Sequence, residues 1–338
     1  MLLKIVKIFA LIALLVLIFW GYTRFSGSNS VGNKPKEMGS KCPVCGVKIE
    51  ERSRIKRPIA VMVENSPAAR PQSGLKDACI VYEAVTEGGI SRFMAVFLHN
   101  DAKLIGPIRS ARTHFIDLSR DYRAAYVHCG QSNEALSVLN HDMSVVNIDQ
   151  MKLEDYFWRE KGRRAPHNLY TSTDNIVKYM ESQKLNNFQD VFPNFTYDSA
   201  LNEGTEVDHF EVDLSSATPK VGWKYDADTK EYTRYNGAKI HLDKETNEPL
   251  TAKNIIVQFV RSMPSATSNL GVIDVMVTGE GSGFLYSNGK RIEIAWKKPR
   301  PRVATNYFTK YGDPIPLTQG VTYVMLVDET GGTKSKKW

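Results

Sequence analysis

The sequence predicts an α+β protein: a mixed α/β N-terminal domain, then a smaller, mostly-β domain, both behind an N-terminal membrane anchor. Three observations carry this reading. An apolar run with aromatic residues at its end opens the chain. Between residues 57 and 195 strand-like and helix-like patterns alternate around one tight hairpin. From 205 to 330 short strands follow one another between turn signals. A length of 338 residues accommodates two domains, and 42% hydrophobic residues is a globular composition. The net charge of +7 permits anionic partners without demanding nucleic acid.

Residues 1–24 carry Lys4 and Lys7 and then run apolar to Trp20. Taken from Ile5 to Tyr22, with Lys7 snorkelling, the run approaches the roughly 17–25 residues of a membrane helix. Trp20 and Tyr22 stand where interfacial aromatics belong. No small-residue cleavage pattern follows closely, and no cysteine is there to be lipidated, so an uncleaved single-pass anchor is expected, with the body on the extracytoplasmic side. Residues 25–56 read as a flexible basic linker, rich in Gly, Ser and Asn at first. It is a solvated tether, or a contact for anionic lipid or wall polymer.

Within the linker, Cys42-Pro43-Val44-Cys45-Gly46 has the spacing of half a zinc knuckle. No second C-x-x-C or paired-histidine motif exists, so the pair reads as a local disulfide or free thiols, and neither metal nor cofactor is expected. Cys79 and Cys129 lie in apolar runs and read as interior strand positions.

In the first domain, 57–195, Pro58 to Val63 reads as a buried strand and Cys79 to Val85 as a second. Gly88-Gly89 turns the chain into Phe93 to Leu98, giving an antiparallel hairpin. Phe115, Leu118 and Tyr122 have helical spacing. Ala125 to His128 is a strand, and Ser132 or Asn133 caps a helix from Glu134. A short strand at Val145 to Asp149, an aromatic stretch at Tyr156 to Trp158 and a helix from Thr171 or Ser172 to Gln183 complete the domain.

Polar residues at strand ends and in loops are the candidate ligand-binding set. They are Asn65, Arg70, Glu83, Glu87, Arg92 and Arg109, followed by Arg112, His128, Ser132, His167 and Asn168. Arg163 lies in the same basic loop as His167. Glu83 and Glu87 among the arginines form either a site or a buried ion-pair network. His128, within a strand, reads as a core histidine, and His167, beside Pro166, as the better functional candidate. No P-loop, G-x-S-x-G elbow, G-x-G-x-x-G or H-E-x-x-H is present, so no reaction is legible. Arginines beside acids hold those acids ionised, which opposes general-acid chemistry and favours recognition of a carboxylate or phosphate.

The second domain, 205–330, holds strands at His209 to Leu214, Asn254 to Val260, Ile273 to Val277 and Thr322 to Val327. Gly222 to Tyr225 and Tyr232 to Tyr235 form a hairpin, and Asn288-Gly289 is a type I′ turn before Arg291 to Trp296. The expected architecture is a sandwich or barrel. Gly279 to Gly283 reads as a turn, and Lys297, Lys298, Arg300 and Arg302 as a solvated basic rim.

RPIAVMVEN, ARPQSGL, IVYEAVTEGGISRFMAVF, IGPIRSAR, YVHCGQS and APHNLYT, with NIIVQFV and the stretch from AWKK to Leu326 in the second domain, together resemble the YerB-like lipoprotein family of Gram-positive bacteria. The match runs from about Arg57 to Val327. The resemblance implies a surface-anchored protein with an N-terminal domain of unknown function and a smaller C-terminal β domain, with no activity to carry over. The lipid-attachment cysteine of such lipoproteins is missing after the apolar run, so the helix itself is expected to anchor the chain. The expected partners are the membrane, through that helix, and a cell-envelope polymer or envelope protein, with no nucleic acid. The alternative is a cell-wall glycan hydrolase or transferase using Glu83 or Glu87 with His128 or His167.

Overall fold

The computed structural model describes residues 41–49, 55–187, 190–197, 201–266 and 271–329, and the backbone of 333–336. The expected anchor at 1–24 and most of the linker lie outside them. Among the described residues no helix is long and apolar enough to cross a membrane.

The N-terminal strands are β1 (Ile59–Glu64), β2 (Ile80–Val85), β3 (Ser91–Phe97), β4 (Ala125–His128), β5 (Val146–Asp149), β6 (Trp158–Arg159) and β7 (Leu169–Tyr170). The helices are α1 (Thr113–Ser119), α2 (Asn133–His141) and α3 (Thr173–Ser182). Next come β8 (Thr205–Glu206), β9 (His209–Val212), β10 (Val221–Asp226), β11 (Glu231–Asn236), β12 (Lys239–Ile240) and β13 (Thr251–Ala252). The chain continues through β14 (Asn254–Pro264), β15 (Ile273–Met276), β16 (Gly279–Ser287), β17 (Lys290–Lys298), β18 (Asn306–Thr309), β19 (Thr322–Asp328) and β20 (Thr333–Lys336).

One large mixed sheet runs β18-β17-β16-β14-β19-β2-β3-β1-β4-β5. Its centre holds β1 and β3, buried along their whole length, with apolar runs from Ile59 to Val63 and from Phe93 to Phe97 as expected of strands covered on both faces. The expected hairpin is present, with Glu83 opposite Phe93 and Val85 opposite Ser91. Helices α2 and α3 are capped by Ser132 and Ser172, whose side chains accept from Ala135 N and Asn175 N.

The body is mostly β, which corrects the mixed α/β expectation. Among the described residues the three α-helices are short, and the C-terminal strands continue the N-terminal sheet instead of closing a separate sandwich or barrel. Strand β19 is the join: it lies between β14 and β2 and is parallel to both. A second sheet, β12-β11-β10-β9-β20, packs on one face of the first. There the Phe210 and Tyr286 rings stack at 3.6 Å, and Trp223 Nε1 donates to Met325 Sδ at 3.3 Å. On the opposite face the Tyr82 and Tyr122 hydroxyls meet at 2.7 Å, under the turn that follows α1.

Two further expectations are corrected. Gly279 to Gly283 lies in strand β16, not in a turn. A Cβ on Gly281 would stand 2.7 Å from Trp296 Nε1, and one on Gly283 would stand 2.3 Å from Val257 O, so these glycines serve close cross-strand packing. Lys298 is not on a solvated rim: alternation along β17 turns it inward, where it is fully buried and bonded to the fully buried Asp121.

The sheets are joined by a buried ion pair. Arg234 Nη2, on β11, donates to Glu83 Oε1 and Oε2 on β2 at 3.0 and 2.8 Å, and neither side chain is exposed. Removing the cation alone leaves a buried, uncompensated carboxylate. Arg234→Met should therefore lower the unfolding free energy by about 3–5 kcal/mol, and Glu83→Leu with Arg234→Met should recover at least half of that. Urea denaturation of the three proteins measures this. A loss below about 1 kcal/mol for Arg234→Met would show that the pair does not hold the sheets together.

Candidate functional site

A cleft of about 320 Å³ opens at the end of the large sheet where β1 and β2 finish and β3 begins. Its walls include Glu64, Asn65, Glu87, Arg92, Arg109 and His167, with Ser66, Ser91 and Ser110 between them. The antiparallel register places Glu64 opposite Arg92, which is why residues far apart in sequence share one end.

Glu64 is the centre of one wall. Its Oε1 accepts from Ser66 Oγ at 2.6 Å and from Arg109 Nη2 at 2.8 Å. His167 Nδ1 lies 2.8 and 2.9 Å from the two carboxylate oxygens and donates to them. Burial alone would raise the Glu64 pKa. The hydrogen bonds from Arg109, Ser66 and His167 outweigh it and hold the carboxyl below the usual range. Arg109 is fixed from its backbone, whose N–H donates to Met62 O in β1 at 3.0 Å. His167 is carried by a loop that Asn168 braces, its Nδ2 donating to Glu160 O and Arg163 O at 3.2 Å.

Glu87 forms the other wall. Arg92 Nη2 donates to its Oε1 at 2.5 Å, and Arg112 reaches both of its oxygens, at 2.7 and 3.0 Å. Burial pushes Glu87 upward, but the charges of Arg92 and Arg112 hold it low. Burial, then the neighbouring Arg112 charge, pushes Arg92 down to about 10. Both acids of the cleft are thus ionised hydrogen-bond acceptors, unfit to donate a proton at neutral pH. Arg109 spends only Nη2 on protein groups, and the Nε and Nη1 donors have no protein partner among the described residues.

The sequence-derived candidates divide accordingly. Asn65, Glu87, Arg92, Arg109 and His167 line the cleft, and Arg112 and Asn168 support it. Arg70 binds Asn65 through Nε at 2.9 Å. Glu83 lies behind the wall, accepting from Asn65 Nδ2 and Ser91 Oγ at 3.0 and 2.7 Å while paired with Arg234. His128 is fully buried, beside Gly130 O and Asn147 Oδ1, and does not line the cleft. Ser132 caps α2. The pairing of Glu83 with His128 as catalytic groups therefore finds no assembled site. Sequence reasoning missed Glu64, although a carboxylate directly before Asn65 at a strand end was the signal. It also missed Gln72 and His241, which extend the buried network: His241 Nε2 donates to Gln72 Oε1 at 2.6 Å, and Gln72 Nε2 donates to Asn65 Oδ1 at 3.0 Å.

Two family profiles match the chain, "Protein of unknown function (DUF3048) N-terminal domain" over residues 44–186 and "Protein of unknown function (DUF3048) C-terminal domain" over residues 210–324. The chain is 33% identical over 303 residues to the Bacillus subtilis protein named "Putative lipoprotein YerB", covering 88% of this chain and 89% of that one. The crystal structure of the YerB protein from Bacillus subtilis superposes with a TM-score of 0.75 at 32% identity, covering 87% of this chain and 99% of that chain.

Beside the cleft, His114 on α1 is fully buried with no hydrogen-bond partner on either ring nitrogen. Burial, reinforced by Arg112 and Arg92, pushes its pKa from 6.5 down to about 3. The unfolded chain takes up this proton below pH 6.5, whereas the folded chain stays neutral there until about pH 3. Stability from this group is therefore intact above pH 6.5 and declines as the pH falls toward 3, by up to about 1.4 kcal/mol per pH unit. His114→Leu should flatten that slope. Chemical unfolding of both proteins between pH 7 and pH 4 checks it, and parallel pH profiles would refute it.

Proposed function

Because the chain belongs to the DUF3048 family, described as of unknown function, we propose its role from the cleft: recognition of an anionic group, carboxylate or phosphate, on cell-envelope material, by a protein tethered outside the membrane. The observation that carries this is Arg109. Its Nη2 donates to Glu64 and stands 3.3 Å from His167 Nδ1, and among the described residues its Nε and Nη1 donors have no protein partner. A planar fork with free N–H groups suits bidentate binding of a carboxylate or phosphate. Arg92 and Arg112 add positive charge that Glu87 only partly offsets. The volume suits a small polar moiety, such as one unit of a polymer or an acidic peptide end. The tether follows from the apolar run at residues 1–24 and from the lipoprotein name of the Bacillus subtilis relative.

The glycan hydrolase alternative is weaker. Glu87 is clamped by two arginines, and Glu83 is sealed away from solvent. Envelope binding is testable by calorimetric titration with solubilised wall fragments and with anionic wall polymer. Arg109→Ala should weaken binding roughly 10–100-fold, and the thermal midpoint, lowered as Glu64 loses its cation, is measured alongside to show that the variant is still folded at the titration temperature. Absence of binding by the unaltered chain to every envelope fraction would refute the proposal, as would full affinity in Arg109→Ala.

A further inference from the structure

Cys42-x-x-Cys45 lacks a second ligand pair in the sequence, but the fold supplies two single ligands from elsewhere. Cys79 precedes β2, and His99 follows β3, so the hairpin brings both to the same end of the sheet. The three sulfurs and a His99 ring nitrogen all lie within 4.8 Å of one another. Cys45 Sγ stands 3.0 Å from His99 Nε2. Cys42, Cys45 and Cys79 are almost wholly buried, at 0, 2 and 1% exposure. A tetrahedral zinc ion with Zn–S bonds of about 2.3 Å sets its sulfurs about 3.8 Å apart, so small side-chain shifts complete the geometry.

The loop itself is shaped for a metal. Cys42 N–H donates to Val47 O and Gly46 N–H to Cys42 O, each at 2.7 Å, closing a tight knuckle. Gly46 has φ +71°, and a Cβ there would stand 2.4 Å from the Tyr197 ring, so the turn admits only glycine. The surrounding chain is anchored as well: Tyr197 Oη donates to Val44 O at 2.5 Å, and Gly320 N–H donates to Cys45 O at 2.9 Å.

We infer that Cys42, Cys45, Cys79 and His99 form a structural zinc site that pins the start of the folded body to the β2–β3 hairpin. Zinc suits the site because three thiolates and one imidazole fill all four tetrahedral positions and leave none for substrate. Binding releases thiol protons and couples metal affinity to folding. The site is separate from the cleft, with no residue in common.

The test is metal analysis of the full chain, purified in mild detergent under reducing conditions without added metal. About one zinc per chain is expected, with X-ray absorption giving three sulfur ligands near 2.3 Å and one nitrogen near 2.0 Å. Cys79→Ser and His99→Ala should each lower zinc retention against a competing chelator by at least about tenfold. Should those variants fail to fold, cobalt(II) titration of the unaltered, metal-stripped chain gives the answer alone, since a tetrahedral thiolate site produces intense visible bands. A disulfide between any two of the three cysteines in the reduced preparation, or failure to take up zinc and cobalt, would overturn the inference. So would a metal that stays bound with unchanged affinity in both variants.

Discussion

The buried pairing of Glu83 with Arg234 is the constraint around which the molecule is arranged. Each charge sits between two sheets with no exposure to water, at a desolvation cost of several kcal/mol per ion. The cost is met by saturating the carboxylate: Glu83 accepts from Arg234, Asn65 and Ser91 together. Arg234 also donates to Asn236 and His241, and its guanidinium lies 5.2 Å from the Phe93 ring centre. Such an arrangement tolerates little displacement. It fixes the small sheet over β2 and β3, and through Asn65 and Ser91 it fixes one wall of the cleft. The polar network and the candidate site are therefore mechanically one object, although only the cleft side meets solvent.

Much of this was legible, and the limits have physical causes. The strands of the hairpin, the capping serines and the Asn288-Gly289 turn are local signals, and they are where the periodicity puts them. Asn288 and Gly289 both take positive φ, at 53° and 72°. Glu83 and Glu87 looked alike in sequence, yet they have opposite fates. Glu83 is inside β2, and alternation aims it at the second sheet, whereas Glu87 lies beyond the strand and reaches the cleft. The deciding partner of Glu83 is 151 residues away, and no local pattern announces it. The same holds for Lys298 with Asp121, 177 residues apart. Cys79 reads as an ordinary interior position and no local pattern singles out His99, because only the hairpin brings the two to Cys42 and Cys45.

The course of β19 explains why a two-domain reading of the chain captures the sequence better than the structure. Profiles matched at 44–186 and 210–324 cover two separate stretches of the chain, but strands from both belong to one sheet. Without β19, strand β2 would present an open, largely apolar edge, the kind of edge that recruits other strands. Strand β19 closes that edge with a parallel ladder from Thr322 opposite Ile80 to Leu326 opposite Ala84. Parallel pairing between segments so distant in sequence cannot form until most of the chain is present, so the β2–β3 hairpin is the local unit from which the sheet can grow.

That same hairpin carries both chemically distinctive places in the molecule, at opposite ends. At the Gly88-Gly89 end, Ser91, Arg92 and Glu87 build the cleft; at the other, Cys79 and His99 meet the knuckle at Cys42 and Cys45. A strand pair of six or seven residues is about 20 Å long, which keeps the two places apart while making them share one rigid scaffold. Cys42 and Cys45 stand at the start of the described body, so the thiol end of the hairpin meets its first described residues, and the arginine end lines the cleft.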